Sequence, residues 1–320
     1  MSISQMIFES QYPSRPLDDI SSTGRVRPWR LHKMANEILA MAYDKISEEK
    51  AARLRACATR LSFAVTSTGE KKLVGANFCR VRLCPVCQWR RALKVSGQTA
   101  AIIEAQQRLA ARRYVLLTLT IKNVAPSGLE AAIDDIFRGW NLLTKRPEFK
   151  RAVRGWYRGL EVTHNTWDNR FHPHLHCLLQ VLPSYPTSRC YLSHERWTEL
   201  WQGAMHLSYT PIVDVRMCRG VTAAAIAEVA KYTCKVGDYL IPDDWDLSVE
   251  TVALLDRVLC RRRLAMYGGE MRQRHRELRL DDVEDGSLTD MTPDELSELE
   301  REHIVSYVWY SGYRQYCLEE

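Results

Sequence analysis

The pattern of apolar and polar positions divides the chain into strands and helices without a regular alternation of the two. Apolar residues alternate in Leu61-Ser-Phe-Ala-Val65, and Thr68-Gly69-Glu70-Lys71 reads as a turn returning into Leu73-Val74. Arg113-Tyr-Val-Leu-Leu-Thr-Leu-Thr-Ile121 is the strongest strand signal. Trp156–Thr163 and His172–Leu182 flank the turn-like Asn165-Thr-Trp-Asp-Asn169 and predict a hairpin, with Pro183 and Pro186 stopping its second strand. Ile212–Arg216 is a further short strand. Helical spacing covers Lys33–Ala58, with Ile38, Leu39, Met41, Ala42 and Ile46 as its stripe, and runs from near Gln88 to Arg112. Ser127 is the expected cap of a helix from Gly128 to Lys145, Ser193 starts another, and Val221–Lys235 is a third. The first thirty residues, with Pro13, Pro16, Gly24 and Pro28, read as an irregular arm. A central hairpin among unevenly spaced helices predicts an α+β fold with a mainly antiparallel sheet.

Length and composition change this picture little. A chain of 320 residues, 46% hydrophobic and 26% charged, buries a core of one large or two smaller domains. No apolar run reaches a membrane span. Met1-Ser2-Ile3-Ser4-Gln5 opens neither a basic nor an apolar leader, so a cytoplasmic location is expected. Ten cysteines in a reducing compartment are metal ligands or core residues before they are disulfides. The net charge of +6 is unevenly spread: basic residues crowd Arg80–Arg113 and Arg257–Arg279, and Asp281–Glu302 is acidic. Clustered basic surface points to a polyanion, although arginines also merely solvate helix faces.

Chemistry concentrates at Phe171-His172-Pro-His174-Leu-His176-Cys177. In a strand the three histidines share one face, and Leu175, Cys177, Leu179 and Val181 share the other. The preceding strand brings Glu161 opposite His174 or His176, according to register, while His164 has the wrong parity. The expected ligand set is His174, His176 and Glu161, with His172 weaker at the strand start. Two imidazoles and a carboxylate leave open positions, as a catalytic site requires. The donors suit Mn2+ or Zn2+, and availability with a phosphate substrate suits Mg2+. Solvated histidines on a polar face are the bland alternative.

Cys79-Arg-Val-Arg-Leu-Cys84-Pro-Val-Cys87 sets three thiols within nine residues. The Cys84-Pro-Val-Cys87 knuckle suits one tetrahedral ion, and Cys57 is the best fourth ligand of a structural zinc site. A redox pair or buried free thiols are the alternatives. Arg80, Arg82, Arg90 and Arg91 surround the cluster and are candidate DNA phosphate contacts. On the helix Val221–Lys235, Glu228, Tyr232 and Lys235 fall on one face and Lys231 lies to the side. A phenol is a poor nucleophile at neutral pH, but a metal-polarised phosphate and a neighbouring lysine would let it attack.

Together, Leu116-Leu-Thr-Leu-Thr120, Phe171–Leu178 with His174-Leu175-His176, and Glu228-x-x-Lys231-Tyr232-x-x-Lys235 resemble the rolling-circle plasmid replication initiators of the HUH endonuclease superfamily. The cysteine run starting at Phe78 resembles the cysteine-cluster group of these initiators, and the likeness spans about residues 29 to 285. The histidines precede the tyrosine, the order of Rep-type nucleases and the reverse of conjugative relaxases. The resemblance implies a five-stranded antiparallel sheet with the metal on one face and the tyrosine helix beside it. It implies nicking of one strand at a double-strand origin, with Tyr232 joined to the 5′-phosphate and the freed 3′-OH priming synthesis. Glu228 stands where two-tyrosine phage initiators carry a second tyrosine, so Glu228-activated hydrolysis is expected at termination.

The implied cofactors are Mn2+ or Mg2+ at the catalytic site and Zn2+ at the cysteines. The implied partners are plasmid origin DNA and a host helicase and DNA polymerase, with no membrane and with oligomeric state open. The expected domains are an arm over 1–30, a helical zinc-binding region over 31–112, a nuclease core over 113–240 and a helical, acidic region over 241–320. A single-strand transposase or relaxase of the same superfamily, or a non-enzymatic zinc-containing DNA-binding regulator, are the competing readings.

Overall fold

The computed structural model describes residues 12–21, 24–66, 69–218, 226, 233–291 and 304–319. In chain order its elements are α1 Trp29–Tyr43, α2 Glu48–Ala56, β1 Arg60–Val65, β2 Lys71–Ala76, α3 Pro85–Leu109, β3 Arg113–Thr120, α4 Leu129–Lys145, α5 Pro147–Ala152, β4 Val153–Asn165, β5 Arg170–Val181, α6 His194–Met205, β6 Val213–Met217, α7 Trp245–Leu259, β7 Ala265–Gly268, α8 Gly269–Glu277, β8 Ile304–Tyr310 and β9 Gln315–Leu318. The fold is α+β with two antiparallel sheets. The chain separates into two compact units, one of Met1–Arg90, Asp246–Ala253 and Ser287–Glu320, the other of Arg91–Trp245 and Leu254–Gly286. No helix among the described residues is long and apolar enough to cross a membrane.

The second unit is built on a five-stranded sheet of order β6-β3-β5-β4-β7, with every neighbour antiparallel. This is the sheet the resemblance implied. Its two longest strands, β4 and β5, form the predicted hairpin around a turn in which Asn169 takes a left-handed conformation, φ 49°. That conformation suits asparagine better than most residues. Because side chains alternate, the hairpin sorts its residues between two faces. Leu175, Cys177 and Leu179 are fully buried on one face. Helix α4 covers that face with Ile133, Ile136, Trp140 and Leu143, an i, i+3, i+7, i+10 stripe. Trp140 meets Trp156 of β4 edge-on at 5.0 Å, and Phe149 joins Trp140 to Trp197 of α6.

The opposite face carries Tyr114, Tyr157, Leu178 and Tyr267. Val95, Ile102 and Ile103 of α3, Met271 of α8, and Ile226, itself in a helical conformation, pack against them. His174, His176 and Glu161 share this second face by strand parity.

The first unit pairs β1 with β2 and, across the whole chain, with β8, giving the order β2-β1-β8-β9. Trp29 is its anchor: its ring meets Trp89 at 4.6 Å and Phe63 at 6.1 Å, and its N–H donates to the buried Asp19 at 2.7 Å.

Three local expectations are corrected. The helical stretch expected over Lys33–Ala58 is two helices, because Ser47 accepts from Lys50 N and starts α2 afresh. Ser127 caps nothing; it sits inside a 3-10 turn, Pro126–Gly128, that leads into α4. The helix expected to run to Lys235 does not include it, since Lys235 is extended (φ −78°, ψ 155°) and precedes a 3-10 turn. Asp238 accepts from Lys235 N at 2.7 Å and so takes a donor that a continuing helix would need.

Burial of the His32 ring, stacked on Trp89 at 5.1 Å, pushes its pKa down to about 4. The unfolded chain therefore binds more protons than the native one between pH 6.5 and 4. Stability should fall as pH drops through that window, by on the order of 1 kcal/mol at its middle. Urea denaturation at pH 7 and pH 5 checks this, and His32→Phe should flatten the difference.

Candidate active site and cysteine cluster

The hairpin register sets the first site. Glu161 pairs with His174 and Gly159 with His176, so the carboxylate and both imidazoles leave neighbouring strands on one face. The glycine beside His176 leaves room for the ring. The three residues are 3–8% exposed. His176 Nε2 lies 2.8 Å and His174 Nε2 3.4 Å from Glu161 Oε2, and the two nitrogens are 3.1 Å apart.

The outer nitrogens decide what the inner ones offer. His174 Nδ1 lies 3.0 Å from the His172 carbonyl, which can only accept, so Nδ1 carries the proton and Nε2 presents its lone pair. Thr118 Oγ1 lies 3.3 Å from His176 Nδ1. Three donor atoms converging in a nearly dry pocket are a fit for a cation, because two imidazole nitrogens so close are otherwise in conflict over protons. Burial alone would raise the Glu161 carboxyl, but the imidazoles of His174 and His176 beside it hold it well below the usual carboxylate range. Glu161 is therefore an anion whose second oxygen, Oε1, lies 3.3 Å from Lys235 Nζ.

The second site is the cysteine cluster. Cys57, at the end of α2, lies 3.6 Å from Cys84 and 3.7 Å from Cys87, and Cys79 lies 3.8 Å from Cys87, sulfur to sulfur. Sulfurs bound to zinc at about 2.3 Å in a tetrahedron stand about 3.8 Å apart, so the four thiols fit such an ion. All four are buried. Burial pushes the Cys84 thiol up, while hydrogen bonds from Cys57, Cys79 and Cys84 bring Cys87 down, so four protonated and anionic sulfurs compete for one charge. A cation resolves that competition by making every sulfur a thiolate. Asn36 Nδ2 donates to Cys84 Sγ at 3.1 Å, and the fully buried Lys33 donates to the carbonyls of Arg55 and Cys57, both at 2.8 Å. The lysine charge offsets the thiolates from within the core.

The family described as Replication protein matches residues 70–317. The chain belongs to the Replication protein family. A Protein rep from Bacillus amyloliquefaciens is 34% identical, covering 98% of this chain and 100% of the relative. One from Streptococcus pneumoniae is 32% identical over 94% of this chain and 95% of its own, and one from Lactiplantibacillus plantarum 35% over 86% and 89%. No solved structure matches. The Replication protein match takes in both candidate sites except Cys57, which precedes it.

Of the residues singled out in sequence, the structure brings Glu161, His174, His176 and Lys235 together, and Cys57, Cys79, Cys84 and Cys87 together. Glu228, Lys231 and Tyr232 lie outside the described residues. His172 is not in the ligand group, and His164 faces away, bonded to Asn169 and the Asp238 carbonyl. The arginines divide. Arg80 is exposed and Arg82 half-buried. Arg91 is partly buried against the Glu284 carbonyl at 3.4 Å. Arg90 is corrected: 2% exposed, it is held by the Leu288 carbonyl and the Asp290 carboxylate and lies over Trp29 and Trp89, so no phosphate reaches it. Lys33, Asn36 and Thr118 were missed by sequence reasoning, since their partners are far along the chain and only the fold aligns them.

Cys84→Ser should lower bound zinc below one per chain and make the first unit unfold at lower urea. Metal analysis with denaturation checks this. His174→Ala should leave that zinc in place and instead weaken a second, divalent ion, seen by titration calorimetry with Mn2+.

Proposed function

We propose that the chain initiates rolling-circle replication of a plasmid by nicking one strand of its origin and joining that strand to itself through Tyr232. The observation that carries this reading is backbone pairing next to the ligand face. The Thr233 carbonyl accepts from Val162 N at 2.7 Å, so the residue after Tyr232 is tied to the residue after Glu161. Ile226, six residues before Tyr232, packs on the same sheet face. Lys235, three residues after it, reaches Glu161.

In this reading His174, His176 and Glu161 hold a divalent ion, Mn2+ or Mg2+. Donor spacings of 2.8–3.4 Å are near the roughly 3.0 Å edge of an octahedron with bonds of about 2.1 Å. The bound ion supplies a Lewis acid and a template for the scissile phosphate oxygens. The chain does the rest. The Tyr232 hydroxyl loses its proton and bonds to phosphorus, the bond from phosphorus to the 3′ oxygen breaks, and that oxygen takes up a proton as it leaves. Lys235 and Lys231 favour the phenolate by charge. The 5′-phosphate stays on Tyr232 and the 3′-OH primes synthesis. At termination Glu228 takes a proton from a water that attacks the phosphotyrosine, which frees the protein from DNA.

Zn2+ on the four cysteines has a structural role, with Arg80, Arg82 and Arg91 as DNA contacts beside it. Origin DNA is the substrate, and a host helicase and polymerase act on the opened strand. The proposed setting is the cytoplasm.

Tyr232→Phe should lose both nicking and the covalent adduct on supercoiled origin DNA with Mn2+. An adduct surviving in that variant would place the nucleophile elsewhere. Glu228→Ala should nick at the normal rate yet accumulate adduct at termination, and equal loss of both steps would refute its separate role. Chelation with EDTA should stop nicking while leaving DNA binding intact.

A further inference from the structure

The basic block after β7 takes no part in either site, yet it lines a cavity of about 370 Å3. Its basic wall is Arg263, Arg272, His275 and Arg276. Tyr267 forms part of the floor and is held rigid by a hydrogen bond between its hydroxyl and Thr99 at 2.8 Å. Arg272 and Arg276 are one turn apart on α8 and both exposed, so their guanidiniums rise from one helix face.

The neighbouring carboxylates are already bonded, and one of them, Asp282, itself lines the cavity. Glu270 is taken by Arg112 and Gln180, Glu277 by Arg274 and Gln273, and Asp281 by Lys94 and Gln98. Asp282 pairs with Arg263 at 2.7 Å and accepts from the N–H groups of Glu284 and Asp285. Glu284 accepts from the N–H groups of Leu264 and Ala265. Among the described residues no carboxylate pairs with Arg272 or Arg276. His275 adds a buried Nε2 with no hydrogen-bond partner among the described residues. A concave wall with two guanidiniums that no described carboxylate pairs suits an anion with several oxygens, and guanidinium forks match phosphate best.

Its place on the sheet says which phosphate. Tyr267 pairs with Tyr157, and Tyr157 shares a strand face with Glu161 four residues on. That separation is about 13 Å at 3.3 Å per residue, the reach of about four stacked nucleotides at 3.4 Å each.

We propose that the cavity is a second DNA contact, in which Arg272 and Arg276 clamp a backbone phosphate of the strand about four nucleotides from the one presented to Glu161, His174 and His176. The assignment rests on the reading of the chain as a DNA nickase, but its test needs no nicking. Binding of a labelled single-stranded oligothymidine is measured against salt, in EDTA, for the full-length protein. Loss of that one phosphate contact should reduce the slope of log affinity on log salt by about 0.7 in the Arg272→Ala, Arg276→Ala double variant. The Arg272→Lys, Arg276→Lys variant, which keeps the charge, should retain the wild-type slope. Both lie on an exposed helix face, and an unchanged zinc content with a normal circular dichroism spectrum shows that they fold. An alanine variant with the wild-type slope overturns the proposal. If tripolyphosphate raises the melting temperature of the wild type but not of that variant, while the slopes agree, the cavity takes free phosphate and the DNA assignment falls. Wild-type protein that binds the oligonucleotide with the expected slope difference but never nicks supports the clamp and removes only the nickase reading.

Discussion

One pairing governs the candidate site on the larger sheet: Glu161 opposite His174 across the β4–β5 hairpin. The side-chain period of a strand is two, so a slip of one residue would turn the carboxylate to the α4 face and leave two imidazoles alone. The apolar half of the same strands prevents the slip. Leu160 and Val162 of β4 are buried on the α4 face, and exposing them would cost on the order of 1.5–3 kcal/mol each. The geometry of the carboxylate and two imidazoles is thus fixed by hydrophobic residues that point the other way.

The cysteine cluster follows a different logic. Strand parity positions nothing there; three ligands come from one short loop and helix start, and Cys57 comes from the end of α2. Its surroundings are polar and fully buried, with Lys33 and Asn36 facing the thiols or their carbonyls. A buried lysine is costly unless negative charge lies near it, and thiolates on a bound ion would supply that charge. Lys33 belongs to the site as much as the sulfurs do.

How far the sequence told this depends on the range of each interaction. The hairpin, its turn and the carboxylate–imidazole set were legible because alternation is local and a short turn leaves few registers. The four cysteines were legible from spacing, with Cys57 from its position at a helix end. The β1–β8 pairing was not, since Ser62 meets Ser306 across 244 residues and nothing near either announces the other. The end of the helix before Lys235 was also hidden. Helix propensity continues through Thr233 and Cys234, but the Thr233 carbonyl is taken by β4 and Lys235 N by Asp238. Arg90 shows the same lesson for charge: a basic cluster in sequence says nothing of which arginine the core has claimed.

The discontinuity of the first unit has a bearing on how the protein is made. Strand β1 is synthesised early, yet its second edge is filled only by β8, and β9 then completes the sheet at the far end of the chain. During translation that edge stays open until residues 304–310 have been made, and a pairing so distant closes slowly. A prematurely terminated product would carry the β4–β5 hairpin but lack two of the four strands beside the cysteines. The sheet beside the cysteines therefore closes only after the whole hairpin unit has been made.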